Sequence, residues 1–98
     1  MTRDERLRAA LTTSTPPEIL VELSRDGDPN VRGYVAANTS TPHEILGELS
    51  RDKDDYVRWN VTLNPSAPLE ILLILMVDDN EHMRREAEAT LSKRVMIP

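Results

Sequence analysis

The sequence contains no cysteine, no phenylalanine and only three glycines. Without cysteine the chain has no disulfide, no thiolate metal site and no thiol nucleophile. The three glycines form no phosphate-binding loop. No apolar run approaches the roughly 18 residues of a membrane helix, and the N-terminal segment lacks the apolar stretch of a signal peptide. We therefore expect a cytoplasmic protein with no membrane partner.

Chain length and net charge limit the expected number of domains and the expected class of partner. The chain has 98 residues, enough for one domain, 1–98, with a single small core. Two tyrosines and one tryptophan are its only aromatic residues, so that core is expected to be aliphatic. Seventeen acidic residues outnumber twelve basic ones, giving a net charge of −5. This charge disfavours nucleic acid, whose binding depends on clustered lysine and arginine.

A repeat of 26 residues organises the chain. Residues 15–40 match residues 41–66 at 16 of 26 positions, and residues 67–92 match the second unit at eight. Residues 1–14 read as half a unit, and residues 93–98 form a tail. Each unit has room for two short helices, which are unstable alone and gain stability by stacking. The pattern predicts an all-α fold, a right-handed α-solenoid of about three and a half two-helix repeats.

The first helix of each unit is predicted from its start signal and an apolar stripe. Thr15 and Thr41 precede prolines and stand three residues before Glu18 and Glu44, which predicts threonine N-caps in capping boxes. The apolar residues that follow recur in all three units and are predicted to form half of the core. They are Ile19, Leu20, Leu23, Ile45, Leu46, Leu49, Ile71, Leu72 and Leu75.

The second helix of each unit begins at a good N-cap residue, Asp28, Asp54 or Asn80. Asn38 and Asn64 end the first two of these helices and are predicted to adopt the left-handed conformation that closes many helices. Apolar residues at i, i+4 spacing are predicted to complete the core. They are Val31, Val35, Val57, Val61, Met83 and Ala87.

Two segments carry a family resemblance. Residues 23–32, LSRDGDPNVR, resemble the turn between the helices of HEAT-like repeats. Residues 38–46, NTSTPHEIL, and residues 64–66, NPS, resemble the leucine-rich-repeat variant family, a bacterial α-solenoid. The likeness covers residues 5–92, and the third unit departs from it at Ala67 and Thr90. It implies a protein-interaction surface without chemistry of its own, and it leaves open whether each first helix is α or 3₁₀.

The same resemblance implies a role for the arginines and aspartates that recur along the chain. HEAT-like relatives use such residues to tie neighbouring turns together, and the alternative is a ligand site. The residues concerned are Arg6, Arg32, Arg58 and Arg84, Arg25 and Arg51, and Asp26, Asp52 and Asp78. HEAT-like relatives also include DNA-binding proteins, which need a basic groove that this acidic chain does not offer.

All three aromatic residues fall on second helices, which are expected to line the concave face of the stack. Tyr56, Trp59 and Asn60 are spaced to share one helix face, and Tyr34 has the register of Asn60 one unit earlier. Gly33, in the register of Trp59, is predicted to leave space beside the indole. With the adjacent Arg58, this group has the composition of a hot spot for a protein or peptide partner. The alternative is that the rings fill gaps between helices.

A second candidate surface lies on the first helix of the third unit. Leu73, Ile74, Met76 and Val77 replace the Gly47, Glu48, Ser50 and Arg51 of the second unit. A helix that is apolar nearly all round is buried on more than one side. Three covers are open: the chain's own end, Leu91 and residues 95–98; a twofold homodimer; or a different protein.

Catalytic and metal-binding constellations are not expected. His43 and His82 have no neighbours at metal-ligand spacing, and the recurring serines have no partnered histidine. The sequence thus predicts a non-catalytic protein-binding module or scaffold with no metal and no cofactor. A homo-oligomeric structural or regulatory subunit is the alternative.

Overall fold

In the computed structural model, which describes residues 1–95, the chain forms seven α-helices and no strand within those residues. They are α1 (Arg3–Leu11), α2 (Pro17–Leu23), α3 (Pro29–Ala37), α4 (His43–Leu49), α5 (Asp55–Leu63), α6 (Leu69–Leu75) and α7 (Glu81–Val95). The predicted all-α fold is confirmed. The first helix of each unit is an α-helix of seven residues.

The helices lie in two layers. The longer helices α1, α3, α5 and α7 pack directly against one another in that order, and each short helix, α2, α4 or α6, contacts the long helix before it and the one after it. The principal extents are 43 × 28 × 18 Å. The shortest extent corresponds to about two helix diameters, so the core is a thin slab between the two layers of helices.

The predicted core is confirmed almost residue by residue. Of the nine predicted residues on the short helices, all but the half-buried Ile19 are buried, and all six on the long helices are buried. Ala10, Ala36 and Ala67 are also buried. These small side chains let helices approach closely, and the aliphatic cluster joins both layers into one core.

The threonine N-caps are wrong. Pro16 and Pro42 hold the N-cap positions of α2 and α4, without a side-chain cap. The hydroxyl of Thr15 instead donates to Ala9 O, and that of Thr41 donates to Val35 O, each at 2.7 Å. Each threonine therefore fixes the start of a short helix to the last turn of the preceding long helix.

The aspartate N-caps are confirmed. Asp28 accepts a hydrogen bond from Asn30 N at 2.8 Å, and Asp54 accepts one from Tyr56 N at 2.9 Å. Asn80 accepts one from His82 N at 2.8 Å in the third unit. Because these bonds connect residues two apart, they depend only on local sequence.

The left-handed conformation predicted for Asn38 and Asn64 is wrong, since both have extended backbones with φ near −76° and −75°. Their buried side chains reach the preceding unit instead. Asn38 Nδ2 donates to Ala10 O at 2.8 Å and Thr12 O at 3.0 Å. Asn64 Nδ2 repeats both bonds 26 residues later, to Ala36 O and Asn38 O. Each asparagine thus joins two consecutive long helices.

The third unit makes the equivalent connection with different residues. Thr90 stands at the asparagine position, and its hydroxyl donates to Thr62 O at 3.4 Å. Arg94 Nη2 donates to Asn64 O at 3.0 Å. The helix α7 extends past this position to Val95, and its last turn supplies Arg94.

Candidate protein-binding surface

Arginine and aspartate form a ladder along the edge of the molecule where the turns lie. Arg32 binds Asp52 at 2.9 Å and 3.1 Å, and Arg58 binds Asp78 at 2.8 Å and 3.3 Å, each through Nε and Nη2. Arg6 lies 2.8 Å from Asp26 at the first rung. The inter-turn ties expected from the resemblance are therefore present between these pairs.

A backbone contact holds each ladder arginine in place. Arg32 Nη1 donates to Asp26 O at 2.8 Å, Arg58 Nη1 to Asp52 O at 2.7 Å, and Arg84 Nη1 to Asp78 O at 2.7 Å. Arg58 was predicted as a binding residue, but its guanidinium is only 12% exposed and also contacts Asp55. Its donors are engaged within the fold, so it stands apart from the other predicted binding residues.

Those other residues lie together on α5 and α3. Tyr56 is 40% exposed, whereas Trp59 and Tyr34 are half-buried and pack against the aliphatic core. Asn60 Nδ2 donates to Tyr56 O at 2.8 Å, which orients the amide on the helix surface. The rings therefore pack against the core and also keep part of their surface exposed.

Gly33 makes room for Tyr56, not for the indole as predicted. A Cβ added at Gly33 would lie 2.4 Å from Tyr56 Cε2 and 2.8 Å from Tyr56 Cδ2, closer than real contacts allow. The phenol ring therefore rests on the backbone of α3 and fills the furrow between α3 and α5. The glycine costs about 1 kcal/mol of helix propensity relative to alanine, which this packing offsets.

Two exposed leucines extend this surface and were missed from the sequence. Leu63 lies one turn beyond Trp59 on α5, and Leu11 has the same register on α1, with Ala37 between them on α3. Comparing the last turns of the long helices across the units would have identified this row. The seven residues Leu11, Tyr34, Ala37, Tyr56, Trp59, Asn60 and Leu63 are called the uncharged face below.

On α3 and α5 the uncharged face has no charge outside the ladder, whereas on α1 the exposed Arg8 stands in the register of Tyr34 and Asn60. The charged residues of α3 and α5 are Arg32, Asp55 and Arg58, and all three take part in ion pairs at the turn edge. A hydrogen bond from Asn80 Nδ2, at 2.9 Å, and next the Arg58 guanidinium lower the pKa of Asp55. Asp55 is therefore held ionised within the ladder, away from the rings.

The second predicted surface is exposed at three of its four residues. Val77 is 79% exposed, Leu73 and Ile74 are also exposed, and Leu69 joins them one turn earlier on α6. Met76, the fourth predicted residue, is half-buried and packs against the core. These exposed residues, Leu69, Leu73, Ile74 and Val77, are called the α6 face. The predicted cover by the chain's end involves Met96, Ile97 and Pro98, which lie outside the described residues.

An open groove of about 730 Å³ lies between the second and third turns. Its walls include Asp55, Arg58 and Asp78, which are engaged with one another, and the apolar Ile74 and Val77 of the α6 face. Among residues 1–95, no group of three acidic or histidine side chains could hold a metal ion. Within the same range, no helix has the length and apolar character needed to cross a lipid bilayer.

Comparison of the chain with protein-family models, with curated proteins and with solved structures found no match in any of the three.

Proposed function

We propose that this protein is a non-catalytic protein-binding module, and that its uncharged face contacts the partner. We further propose that its seven helices belong to a right-handed α-solenoid of about three and a half two-helix units, related to the HEAT-like and leucine-rich-repeat variant families. The ladder and asparagine contacts that recur 26 residues apart support this architecture.

The observation that carries the binding proposal is the composition of the uncharged face. Interface cores are enriched in tyrosine and tryptophan and depleted in charge, as this face is. Monomeric proteins seldom expose contiguous apolar patches of more than a few hundred Å² without a use for them. The absence of free arginine or lysine on α3 and α5 favours a protein over a nucleic acid.

The test is an affinity capture with the tagged full chain and three variants. Tyr56→Ala and Trp59→Ala should each abolish capture of a partner that wild type retains. Val77→Ala, which shortens an exposed apolar side chain on the α6 face, is the matched control and should retain it. Urea unfolding of each variant separates loss of binding from loss of fold, because Trp59 also packs against the core. Capture by both aromatic variants at the wild-type level would contradict the proposal.

Self-association through the α6 face is a second candidate function. The supporting observation is the run of exposed apolar residues on α6, where the second unit carries His43, Gly47, Glu48 and Arg51. Ile74→Glu is the informative variant, because Glu22 and Glu48 occupy the same register in the other units and the fold accepts them there. The variant should halve the light-scattering mass, while Glu48→Gln should leave it unchanged. An equal mass for wild type and Ile74→Glu would exclude this interface.

A further inference from the structure

The long helices stack in the order α1, α3, α5 and α7, so α1 and α7 each have one side that no other long helix of residues 1–95 covers. Inside the stack, a residue contacts the next long helix 23 to 28 positions later in the sequence. Gly33 meets the ring of Tyr56, which lies 23 positions later. Ala10 O accepts a hydrogen bond from Asn38, which lies 28 positions later. These contacts give the offset by which one long helix lies against the next.

The uncovered side of α7 is charged. Ala36 on α3 and Thr62 on α5 are fully buried, whereas Glu88, which has the same register on α7, is exposed. Arg85 has the register of Gly33, the residue that meets the following helix, and it is exposed as well. In place of the small residues that a following helix covers inside the stack, α7 thus presents a positive and a negative side chain one turn apart.

Arg84 is the ladder arginine of the last unit. Its Nη1 donates to Asp78 O at 2.7 Å, the same kind of backbone contact that holds Arg32 and Arg58. In those two arginines, Nε and Nη2 bind an aspartate of the next turn. Among residues 1–95, no hydrogen bond engages Nε or Nη2 of Arg84. Arg84 is therefore held as a ladder arginine and keeps the two donors that elsewhere bind a carboxylate.

The uncovered side of α1 carries the opposite charges in the same order. Asp4 has the register of Tyr56, whose ring lies against the preceding long helix, and Arg8 follows Asp4 by one turn on the same helix face. Glu5 stands beside Asp4, and all three charged side chains are exposed. In the described part of the chain, neither Asp4 nor Arg8 takes part in an ion pair. The order of charges is negative, negative, positive along α1, and positive, positive, negative along α7.

From this complementarity we infer that copies of this chain stack head to tail, with α7 of one copy against α1 of the next. When the 26-residue repeat is continued into the second copy, its residue 1 takes position 105, because four repeats span 104 positions. Each charged residue of α7 then stands 24 positions before one of opposite sign, an offset within the range found inside the stack. The pairs are Arg84 with Asp4, Arg85 with Glu5, and Glu88 with Arg8 of the second copy.

This contact goes beyond the proposed function, since it involves neither the uncharged face nor the α6 face. It joins two different surfaces, so every assembly keeps one uncovered α1 and one uncovered α7 and can add further copies. Exposed ion pairs are individually weak and are screened by salt. The association should therefore be weak, and it should be strongest at low ionic strength and high protein concentration.

The experiment measures the light-scattering mass of the full chain at protein concentrations up to about 1 mM, where weak contacts are populated. Two ionic strengths are compared, about 0.01 M and about 1 M, at which charges are screened beyond about 30 Å and about 3 Å. In low salt we expect the mass to rise with concentration past that of a dimer. In high salt we expect it to stay near that of the monomer.

Two charge reversals test the pairing. Glu88→Arg and Arg8→Glu each place like charges opposite each other and should weaken the association about tenfold or more. In an equimolar mixture of the two variants the altered ends carry opposite charges and pair with each other, so the mixture should regain the wild-type mass. Glu48→Arg and Arg51→Glu make the same changes in net charge on exposed side chains of the second unit, and these matched controls should associate as wild type does.

Three results would overturn the inference. The first is a monomer mass at every concentration in low salt. The second is an unchanged association in one of the two reversals, which would mean that like ends meet, or a mixture that gains no mass although circular dichroism shows both variants to be folded. The third is a mass that levels off at the dimer and falls in Ile74→Glu, which would assign the association to the α6 face.

Discussion

The rung between Arg32 and Asp52 should contribute far more to stability than an ion pair at the surface. The two side chains are 9% and 11% exposed, and three hydrogen bonds from the guanidinium connect two turns. Arg32→Met keeps an apolar stem of similar length but removes every one of these donors. It leaves the Asp52 carboxylate with one hydrogen bond, from Asp54 N, and leaves Asp26 O without this donor.

The loss of stability expected for Arg32→Met depends on the groups that the substitution leaves unpaired. Removing one partner of a buried pair costs about 3–5 kcal/mol, and the residual exposure of both groups places this rung near the lower value, about 3 kcal/mol. The total stability of a domain of this length is roughly 5–15 kcal/mol. Each kcal/mol lowers the melting temperature of a small domain by about 4–8 °C, so Arg32→Met should lower it by about 12–24 °C.

The assay is urea unfolding followed by circular dichroism at the helix band. Arg85→Met is the matched control, because Arg85 and Glu81 form a pair that is 72% and 60% exposed and spans one helical turn. That change should cost about 0.3–0.5 kcal/mol. The double variant Arg32→Met with Asp52→Asn removes the stranded charge but keeps an acceptor for Asp54 N, and should recover more than half of the loss.

Two outcomes would refute the reasoning. If Arg32→Met and Arg85→Met lower the free energy of unfolding equally, burial does not determine how much the Arg32–Asp52 pair contributes to stability. If the double variant is no more stable than Arg32→Met alone, the cost does not come from an unpaired carboxylate at Asp52.

Two further predictions concern contacts between units. Asn64→Ala should lower the free energy of unfolding in urea by about 2–4 kcal/mol, because it removes a hydrogen-bond donor from two buried carbonyl groups. The control Asn60→Ala, at a more exposed position, should lower it by less than about 1 kcal/mol. Equal losses would contradict the bridging role of Asn64. The hydrogen bond from Asn80 lowers the pKa of Asp55 in the folded state. The stability that this bond adds is complete above the unfolded pKa of about 3.9, and it is lost as the pH falls through the folded pKa. The urea concentration at the unfolding midpoint should therefore decrease as the pH is lowered below about 4, and it should decrease less steeply in Asp55→Asn. A midpoint that rises with acid would show that the sign is wrong.

Features that depend on neighbours in sequence could be predicted, because their partners lie within a few residues. The aspartate caps at Asp28 and Asp54 bind backbone N–H groups two residues on, and the apolar stripes follow from helical spacing. Polar residues at helix ends were harder. Thr41 and Asn64 each suit a local cap, yet both bind carbonyls that only the folded chain brings within reach. The residue type is the same in either case, so the sequence pattern cannot choose between them.

The candidate site was partly predictable for a related reason. Composition and helical spacing identified Tyr34, Tyr56, Trp59 and Asn60, but burial is a property of the packed structure. Arg58 is engaged at the turn edge, and Leu63 is exposed on the same helix as the rings. A leucine in a helical stripe is usually a core residue, so only its register, one turn beyond Trp59, hinted at the surface.

Residues that recur in every unit and residues that break the pattern have different physical roles. The recurring ones are used by stacking: Arg32 and Arg58 bind the next turn, and Asn38 and Asn64 bind the preceding helix. Some departures still serve stacking, since Thr90 and Arg94 bind the preceding unit, whereas another lies on the uncharged face. Glycine at 33 instead of a larger residue lowers helix propensity and benefits no contact between recurring positions; it serves the ring of Tyr56, itself present in only one unit. Gly33 and Tyr56 thus form a contact between α3 and α5 that the residues in the same registers of the other units do not repeat, and the proposed binding face lies at this contact.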